Sequence, residues 1–158
     1  MKTKAWSHEN RTDGKDEWLT PKWITDALGP FDLDPCAPVL RPWPTAAHHY
    51  TVNDNGLLRE WHGFVWCNPP YSNVKAWMAR MAQHNNGVAL TFARTDTVTF
   101  HEYIFPKATL MLFLRGRLRF HHVDGSEGGT AGAASVLIAY GRDAAGRLDK
   151  LAEKGYFV

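Results

Sequence analysis

The segment VWCNPPY at residues 65–71 combines residue types that could bind a planar amine. Pro69 and Pro70 fix their φ angles at about −65° and lack backbone N–H donors, so the carbonyls there are acceptors without a competing donor. Asn68 adds a side-chain carbonyl, and Tyr71 adds a flat face on which a ring can stack. Together they suit an aromatic ring that carries an exocyclic NH₂ group. The alternative is a proline-rich turn beside a core tyrosine.

A strand and a helix are predicted on either side of this segment. Residues 64–67 are apolar and stop at the prolines, which indicates a buried strand. Ser72 is a suitable N-cap for a helix that ends near Gly87. The apolar residues of this helix recur at helical spacing: Val74, Trp77, Met78 and Met81.

Strands and helices alternate along the rest of the chain. Thr20 as N-cap and Pro21 as the first helical residue predict a helix that stops at Gly29-Pro30. The other predicted strands are residues 31–34, 88–92, 108–114, 118–120 and 135–140, and the other predicted helices are 99–105 and 148–154. Loops are predicted at 35–49, with one helical turn at 45–49, and at 124–134, which is Gly-rich and expected to be mobile. This alternation indicates an α/β fold with a mostly parallel sheet.

Polar residues come at the ends of three predicted strands: Asp34, Asn68 and Arg94. In parallel sheets, ligands bind outside the carboxyl ends of the strands. We therefore expect these side chains to converge on one edge of the sheet, while the apolar strand bodies form the core. Most tryptophans are also expected in the core, although one of them could stack on a bound ligand: Trp18, Trp23, Trp43, Trp61, Trp66 and Trp77.

The composition excludes several classes of protein. A hydrophobic content of 44% in 158 residues is ordinary for one globular domain, predicted over residues 16–158 after a loose polar arm at 1–15. No apolar run approaches the roughly 20 residues of a membrane span, and no signal peptide is evident. Two cysteines are too few for a disulfide framework, which predicts a reducing cytoplasm. The adjacent His48 and His49 lack a matching His/Cys cluster, so no metal site is predicted.

Positive charge is concentrated late in the chain. The net charge is only +2, but residues 107–122 contain Lys107, Arg115, Arg117 and Arg119 and no acidic residue. Such a cluster is typical of a phosphate-binding surface and makes the three arginines candidates for contact with the DNA or RNA backbone. The alternative is an ordinary solvated face.

The order of motifs resembles one family of enzymes. The motifs are WLTP (18–21), DLDPCA (32–37), NDNGL (53–57), VWCNPPYS (65–72), FARTDT (92–97) and RGRLRF (115–120). This series is similar to that of compact phage-type DNA N6-adenine methyltransferases, which use S-adenosylmethionine. NPPY alone is shared with enzymes that methylate RNA or protein glutamine, so the whole series is the more specific signal.

The resemblance implies a single-domain Rossmann-like methyltransferase fold, and methyl transfer to N6 of an adenine flipped out of double-stranded DNA. The implied catalytic residues are Asn68, Pro69, Pro70 and Tyr71. The implied cofactor-binding residues are Thr20, Pro21, Asp34, Pro35, Cys36, Ala37, Asp54 and Leu57. The implied DNA contacts are Arg94, Arg115, Arg117 and Arg119, although Arg94 could instead seal the cofactor cleft. It also implies a phage-encoded protein acting in the host cytoplasm. From the residues alone, Thr20 could be only a helix cap, and Asp34 and Asp54 only turn formers.

The sequence departs from larger methyltransferases in two places. DLDPCA has no glycine pattern after the first strand, and no acidic ribose ligand is evident between Pro38 and Asn53. We therefore expect a sheet abridged around its second and third strands, with DNA specificity arising from the loops 35–50, 93–107 and 121–133. Methylation of RNA or protein glutamine, and a non-catalytic binder of DNA or cofactor, remain as alternatives. The recognition site, the oligomeric state and the biological role are left open.

Overall fold

The computed structural model describes residues 18–158, so the predicted arm at 1–15 lies outside the described residues. The strands are β1 Leu33–Asp34, β2 His48–His49, β3 Val65–Cys67, β4 Gly87–Phe92, β5 Leu110–Leu114, β6 Arg119–His121, β7 Glu127–Thr130, β8 Ser135–Tyr140 and β9 Gly155–Phe157. The α-helices are α1 Lys22–Leu28, α2 Val74–His84 and α3 Arg142–Leu148. Short 3₁₀ segments occupy Gly56–Leu58, Tyr71–Asn73 and Asp149–Lys154, and a π-helical turn occupies Phe100–Ile104.

The central sheet has the strand order β2-β1-β3-β4-β8-β5-β9. The strands β2, β1, β3 and β4 are parallel neighbours. Strand β8 is antiparallel to both β4 and β5, so β5 points in the same direction as β4, and only β8 and β9 run the other way. The predicted α/β fold with a mostly parallel sheet is confirmed.

Helices cover both faces of this sheet. Because side chains alternate between faces along a strand, Leu90 of β4 packs in one core cluster with Ile24 of α1 and Leu148 of α3. Its neighbour Ala89 packs in the other cluster with Met78 of α2. No helix within residues 18–158 is long and apolar enough to cross a membrane.

The structure corrects three local predictions and extends a fourth. Residues 48–49 form β2 rather than a helical turn, because their backbone pairs with β1. Part of the Gly-rich segment 124–134 is strand β7, which pairs with β6; Gly128 permits this, because a Cβ there would lie 2.7 Å from the Phe120 carbonyl oxygen. Helix α2 is capped at Asn73 rather than Ser72, without a side-chain cap bond. The late helix begins at Arg142 and continues as a 3₁₀ segment from Asp149.

Candidate active site

A cleft of about 690 Å³ lies at the carboxyl ends of β1 and β3. It is lined by six of the residues predicted for the site: Pro35, Cys36, Ala37, Leu57, Asn68 and Pro70. A volume of this size is within the range of small-molecule and cofactor sites. Of the three polar residues expected to converge on this edge, Asn68 lines the cleft, Asp34 does not, and Arg94 lines a separate small pocket.

Two cleft walls meet at Gly56. A Cβ on Gly56 would lie 3.0 Å from the Pro35 carbonyl carbon and 3.2 Å from Cη2 of Trp77, with the Pro35 oxygen nearer still. The Gly56 carbonyl accepts a hydrogen bond of 2.8 Å from the indole nitrogen of buried Trp61. The glycine thus lets the segment that carries Leu57 pack directly on the floor formed by Pro35, Cys36 and Ala37.

Asp34 supports this floor from below. Its side chain is 3% exposed and does not line the cleft. The carboxylate accepts hydrogen bonds from the Thr45 hydroxyl and, at 3.2 Å, from the Cys36 backbone N–H. Burial raises the pKa of Asp34 to about 6, although the two hydrogen bonds oppose the shift. Asp34 therefore ties the turn after β1 to the loop that precedes β2.

Asp54 has a similar local role. Its carboxylate accepts the Thr51 backbone N–H at 2.9 Å, and its carbonyl accepts Nε of Arg59 at 2.9 Å. Asp54 itself does not line the cleft, but its neighbours Thr51 and Asn55 do. The side chain closes the turn that forms this wall.

Two thiols meet beneath the cleft. Sγ of Cys36 lies 3.5 Å from Sγ of Cys67. Burial, followed by the neighbouring Cys67 thiol, raises the pKa of the Cys36 thiol well above its usual value, although a hydrogen bond from the Asn68 backbone N–H opposes the shift. Cys36 is therefore a protonated packing residue at neutral pH rather than a thiolate nucleophile.

The side-chain amide of Asn68 is held by Thr20. Nδ2 of Asn68 donates to Oγ1 of Thr20 at 3.2 Å, and Nε1 of Trp66 donates to the same oxygen at 3.2 Å. The prediction that Thr20 caps α1 was therefore wrong: the N-cap is Pro21, without a side-chain cap bond. The Thr20 hydroxyl, 2% exposed, is directed at β3 instead.

Tyr71 lies on the other side of the NPPY segment. Its ring stacks on Phe92, at the end of β4, with ring centroids 4.2 Å apart and planes at 14°. The two rings line a small pocket of about 50 Å³ together with Arg94 and Thr97. Pro69 is buried and does not line the cleft, which its neighbours Asn68 and Pro70 do line.

The basic segment forms a hairpin joined to the site. Arg115, Arg117 and Arg119 are all exposed. Arg119 makes an ion pair of 3.5 Å with Glu127 across the β6–β7 hairpin. His121 of β6 exchanges backbone hydrogen bonds of 2.9 and 3.0 Å with Leu19, the residue before Thr20. The hairpin is therefore anchored directly to the segment that holds Asn68.

Comparison with known proteins assigns the family. A profile of the family described as DNA N-6-adenine-methyltransferase (Dam) matches residues 7–148. The chain belongs to this family. A protein of Haemophilus phage HP1 (strain HP1c1), named DNA N-6-adenine-methyltransferase, is 33% identical over 94 residues, which are 53% of this chain and 53% of the phage protein. The chain thus spans about half the length of that relative. No solved structure matches this chain.

The family assignment confirms the resemblance inferred from the motif series. Sequence reasoning missed several cleft residues: Trp18, Val39, Val52, Gly56, Asn73 and Trp77. Trp18 and Trp77 were counted among the tryptophans expected in the core, one of which could stack on a ligand; the place of Trp18 within WLTP was the signal available. Thr20, Pro21, Asp34, Asp54 and Tyr71 were predicted for the site but do not line the cleft.

The ring of His49 contacts the backbone of the loop before β2. Nε2 of His49 accepts the backbone N–H groups of Thr45 and Ala46 at 3.2 and 3.3 Å. Partial burial, followed by the charge of Arg41, lowers the pKa of His49 to about 4, which keeps the ring neutral. Within residues 18–158, no group of three or more His, Cys, Asp or Glu side chains is placed to hold a metal ion.

Proposed function

We propose that this chain transfers a methyl group from S-adenosylmethionine to the N6 amino group of adenine in double-stranded DNA. The observation that carries the proposal is the NPPY segment of a Dam-family chain, in which Asn68 opens onto the large cleft with its amide nitrogen occupied by Thr20. An amide whose nitrogen is occupied presents its oxygen, and an oxygen is the partner that a substrate amine requires.

The cleft suits the cofactor in size and chemistry. Its walls are mostly apolar, with Ala37, Leu57 and Trp77 among them, and a few amides and backbone groups supply polarity. In our proposal, residues 35–37 form the floor beneath the adenosine, and Leu57 packs beside its ring. Asp34 and Asp54 hold these walls through their turns, and Thr20 and Pro21 stand behind Asn68.

We further propose that the fold is a Rossmann-like methyltransferase domain over residues 16–158, abridged around its second and third strands. In the described part of the chain, β2 is only two residues long, and it ends the sheet on that side. A short edge there leaves the ribose side of the cleft to the loops around 38–41 and 51–55.

The proposed chemistry is direct displacement. When bound, S-adenosylmethionine supplies a methyl group that its sulfonium already activates. The Asn68 side-chain oxygen and the Pro69 carbonyl would accept hydrogen bonds from N6 and stabilise the positive charge that develops on that nitrogen, which then loses one proton to solvent, while the sulfonium leaves as a neutral thioether. The protein aligns the nitrogen with the methyl group. The protonated thiol of Cys36 argues for a path without a covalent enzyme intermediate.

DNA binding requires a flipped adenine and a basic surface. A base within the duplex cannot reach the cleft, so we propose that it swings out and stacks on Tyr71. The stack of Tyr71 on Phe92 backs the ring from one side. We assign the phosphate contacts to Arg115, Arg117 and Arg119, and place Arg94 beside the flipped base. The phage relative favours a phage protein that acts in the host cytoplasm.

One experiment tests the substrate. The chain is incubated with methyl-labelled S-adenosylmethionine and duplex DNA, RNA or protein, and the products are digested and identified. N6-methyladenine from DNA is the expected product. Label in RNA or in protein glutamine would select the enzyme alternatives, and no label anywhere would indicate a non-catalytic binder.

Two variants with matched controls test the site. Asn68→Ala and Tyr71→Ala are expected to lower kcat by about 100-fold or more, since hydrogen bonds and stacking at the reacting group are lost. Gln83→Ala and Tyr156→Ala remove an amide and a phenol side chain at exposed positions outside the cleft and are expected to keep kcat. Near-normal methyl transfer by both site variants would refute the assignment of Asn68 and Tyr71 to the active site.

A further inference from the structure

Thr20 lies where a helix cap is expected, but its hydroxyl serves a different element. Helix α1 starts at Lys22 without a side-chain cap bond. Oγ1 of Thr20 instead receives hydrogen bonds from Trp66 and Asn68. Those two residues are two apart in sequence, so in extended backbone their side chains point to the same side. The hydroxyl thus joins a core side chain to the proposed catalytic amide.

The two donors determine how the hydroxyl is used. An indole N–H can only donate, so Trp66 occupies one lone pair of the Thr20 oxygen. Nδ2 of Asn68 also donates to that oxygen at 3.2 Å. A turned amide could still accept the Thr20 hydroxyl proton through its oxygen, but its NH₂ group would then face the substrate amine. Two donors would then oppose each other at the reacting nitrogen.

We propose that Thr20 is a positioning residue that fixes the orientation of the Asn68 amide, so that Oδ1 rather than Nδ2 faces the target amine. This inference rests on the proposed function. Trp66 is fully buried in the core, so the frame that holds the hydroxyl is rigid. The adjacent Leu19 is fixed by its backbone pairing with His121. Thr20 acts through Asn68 and does not itself touch the substrate.

The kinetic test removes the acceptor without changing side-chain shape. Thr20→Val is expected to lower kcat about 10- to 100-fold, because a lost buried hydrogen bond leaves its partners unsatisfied. The Kd for S-adenosylmethionine is expected to change less than about threefold, because Thr20 does not line the cleft. Thr20→Ser keeps the hydroxyl and is expected to restore most of the lost kcat.

Two comparisons separate positioning from a general loss of structure. Thr25→Val makes the same change at a buried threonine of α1 whose hydroxyl donates to the Lys22 carbonyl, and it is expected to keep kcat. In an Asn68→Ala background, Thr20→Val is expected to cost no further activity, because the group it acts through is gone. An equal loss in both backgrounds, or a loss that Thr20→Ser does not restore, would overturn the proposal.

A measurement that needs no activity completes the test. In the ¹⁵N-labelled protein, nuclear Overhauser effects are expected between the Asn68 side-chain NH₂ protons and the indole proton of Trp66, and they should weaken in Thr20→Val. Their absence would overturn the proposed orientation even if the enzyme methylates DNA. Their presence in a protein that transfers no methyl group would support the orientation and refute the proposed function.

Discussion

Substituting Gly56 by alanine should impair both cofactor binding and folding. A methyl group at this position would lie 3.0 Å from the Pro35 carbonyl carbon and 3.2 Å from the Trp77 ring, against 3.4 Å or more in an ordinary contact. Both neighbours belong to the cleft, and one of them is backbone. The wall that carries Leu57 must therefore move away from the floor at Pro35, which alters the cleft itself.

The expected magnitude follows from the cost of overpacking. Forcing a methyl group into a packed site costs about 1–3 kcal/mol, and about 1.4 kcal/mol corresponds to a tenfold change in an equilibrium constant. We expect Gly56→Ala to weaken the binding of S-adenosylmethionine about tenfold or more, measured by isothermal titration calorimetry. Thermal unfolding of the same samples reports how much of the cost falls on stability.

The control is Gly146→Ala. An added Cβ on Gly146 meets nothing within 4 Å, and the residue is in helix α3. Alanine is a better helix former than glycine, so this variant should keep wild-type affinity and gain slightly in stability. If Gly56→Ala bound the cofactor within twofold of wild type, the wall at Gly56 would not be part of the cofactor site, and the reasoning would be refuted.

Two further predictions concern charge. Asp34 has a folded pKa of about 6 against an ordinary 3.8, so the folded state binds a proton more tightly than the unfolded state. The free energy of unfolding of wild type relative to Asp34→Asn should be highest below pH 4 and fall by up to about 3 kcal/mol as pH rises through 6. Urea unfolding of both proteins across that pH range measures this difference. A difference in stability that does not change with pH would contradict the prediction. Glu127 pairs with Arg119 at 3.5 Å on the exposed hairpin, so Glu127→Gln should tighten DNA binding about threefold at low salt and by less at high salt, measured by fluorescence anisotropy. The control, Asp143→Asn, breaks the Arg147–Asp143 pair at the opposite edge of the sheet and should leave the affinity for DNA unchanged. Equal affinities of wild type and Glu127→Gln for DNA at low salt would show that the hairpin is not part of the DNA-binding surface.

The parts of the fold that the sequence predicted depend on strong local signals. Helix α2 shows regular apolar spacing, and the strand before Asn68 ends at two prolines. The segments β2 and β7 lack such signals: His48–His49 and a Gly-rich stretch become strands only because β1 and β6 supply backbone partners. This strand pairing depends on tertiary structure and cannot be predicted from local composition.

The candidate site was predictable to a similar extent. Residues 35–37 and Leu57 were implied by the family resemblance, and Asn68 was found because it follows a predicted strand. The role of Thr20 was not, because a hydroxyl placed before a helix can satisfy either that helix or a distant donor. The indole of Trp66, 46 residues away, decides between the two. Trp77 was missed since its helical spacing is equally typical of a core residue.

The position of β8 determines when the chain can fold. This fully buried strand, residues Ser135–Tyr140, lies between β4 and β5, which precede it in the sequence. During synthesis, β4 and β5 therefore leave the ribosome with apolar, unpaired edges and wait for a partner made later. Such edges are prone to association with other chains. The two halves of the sheet are joined only when β8 inserts, so the region beyond β4 completes its fold only after β8 has been made.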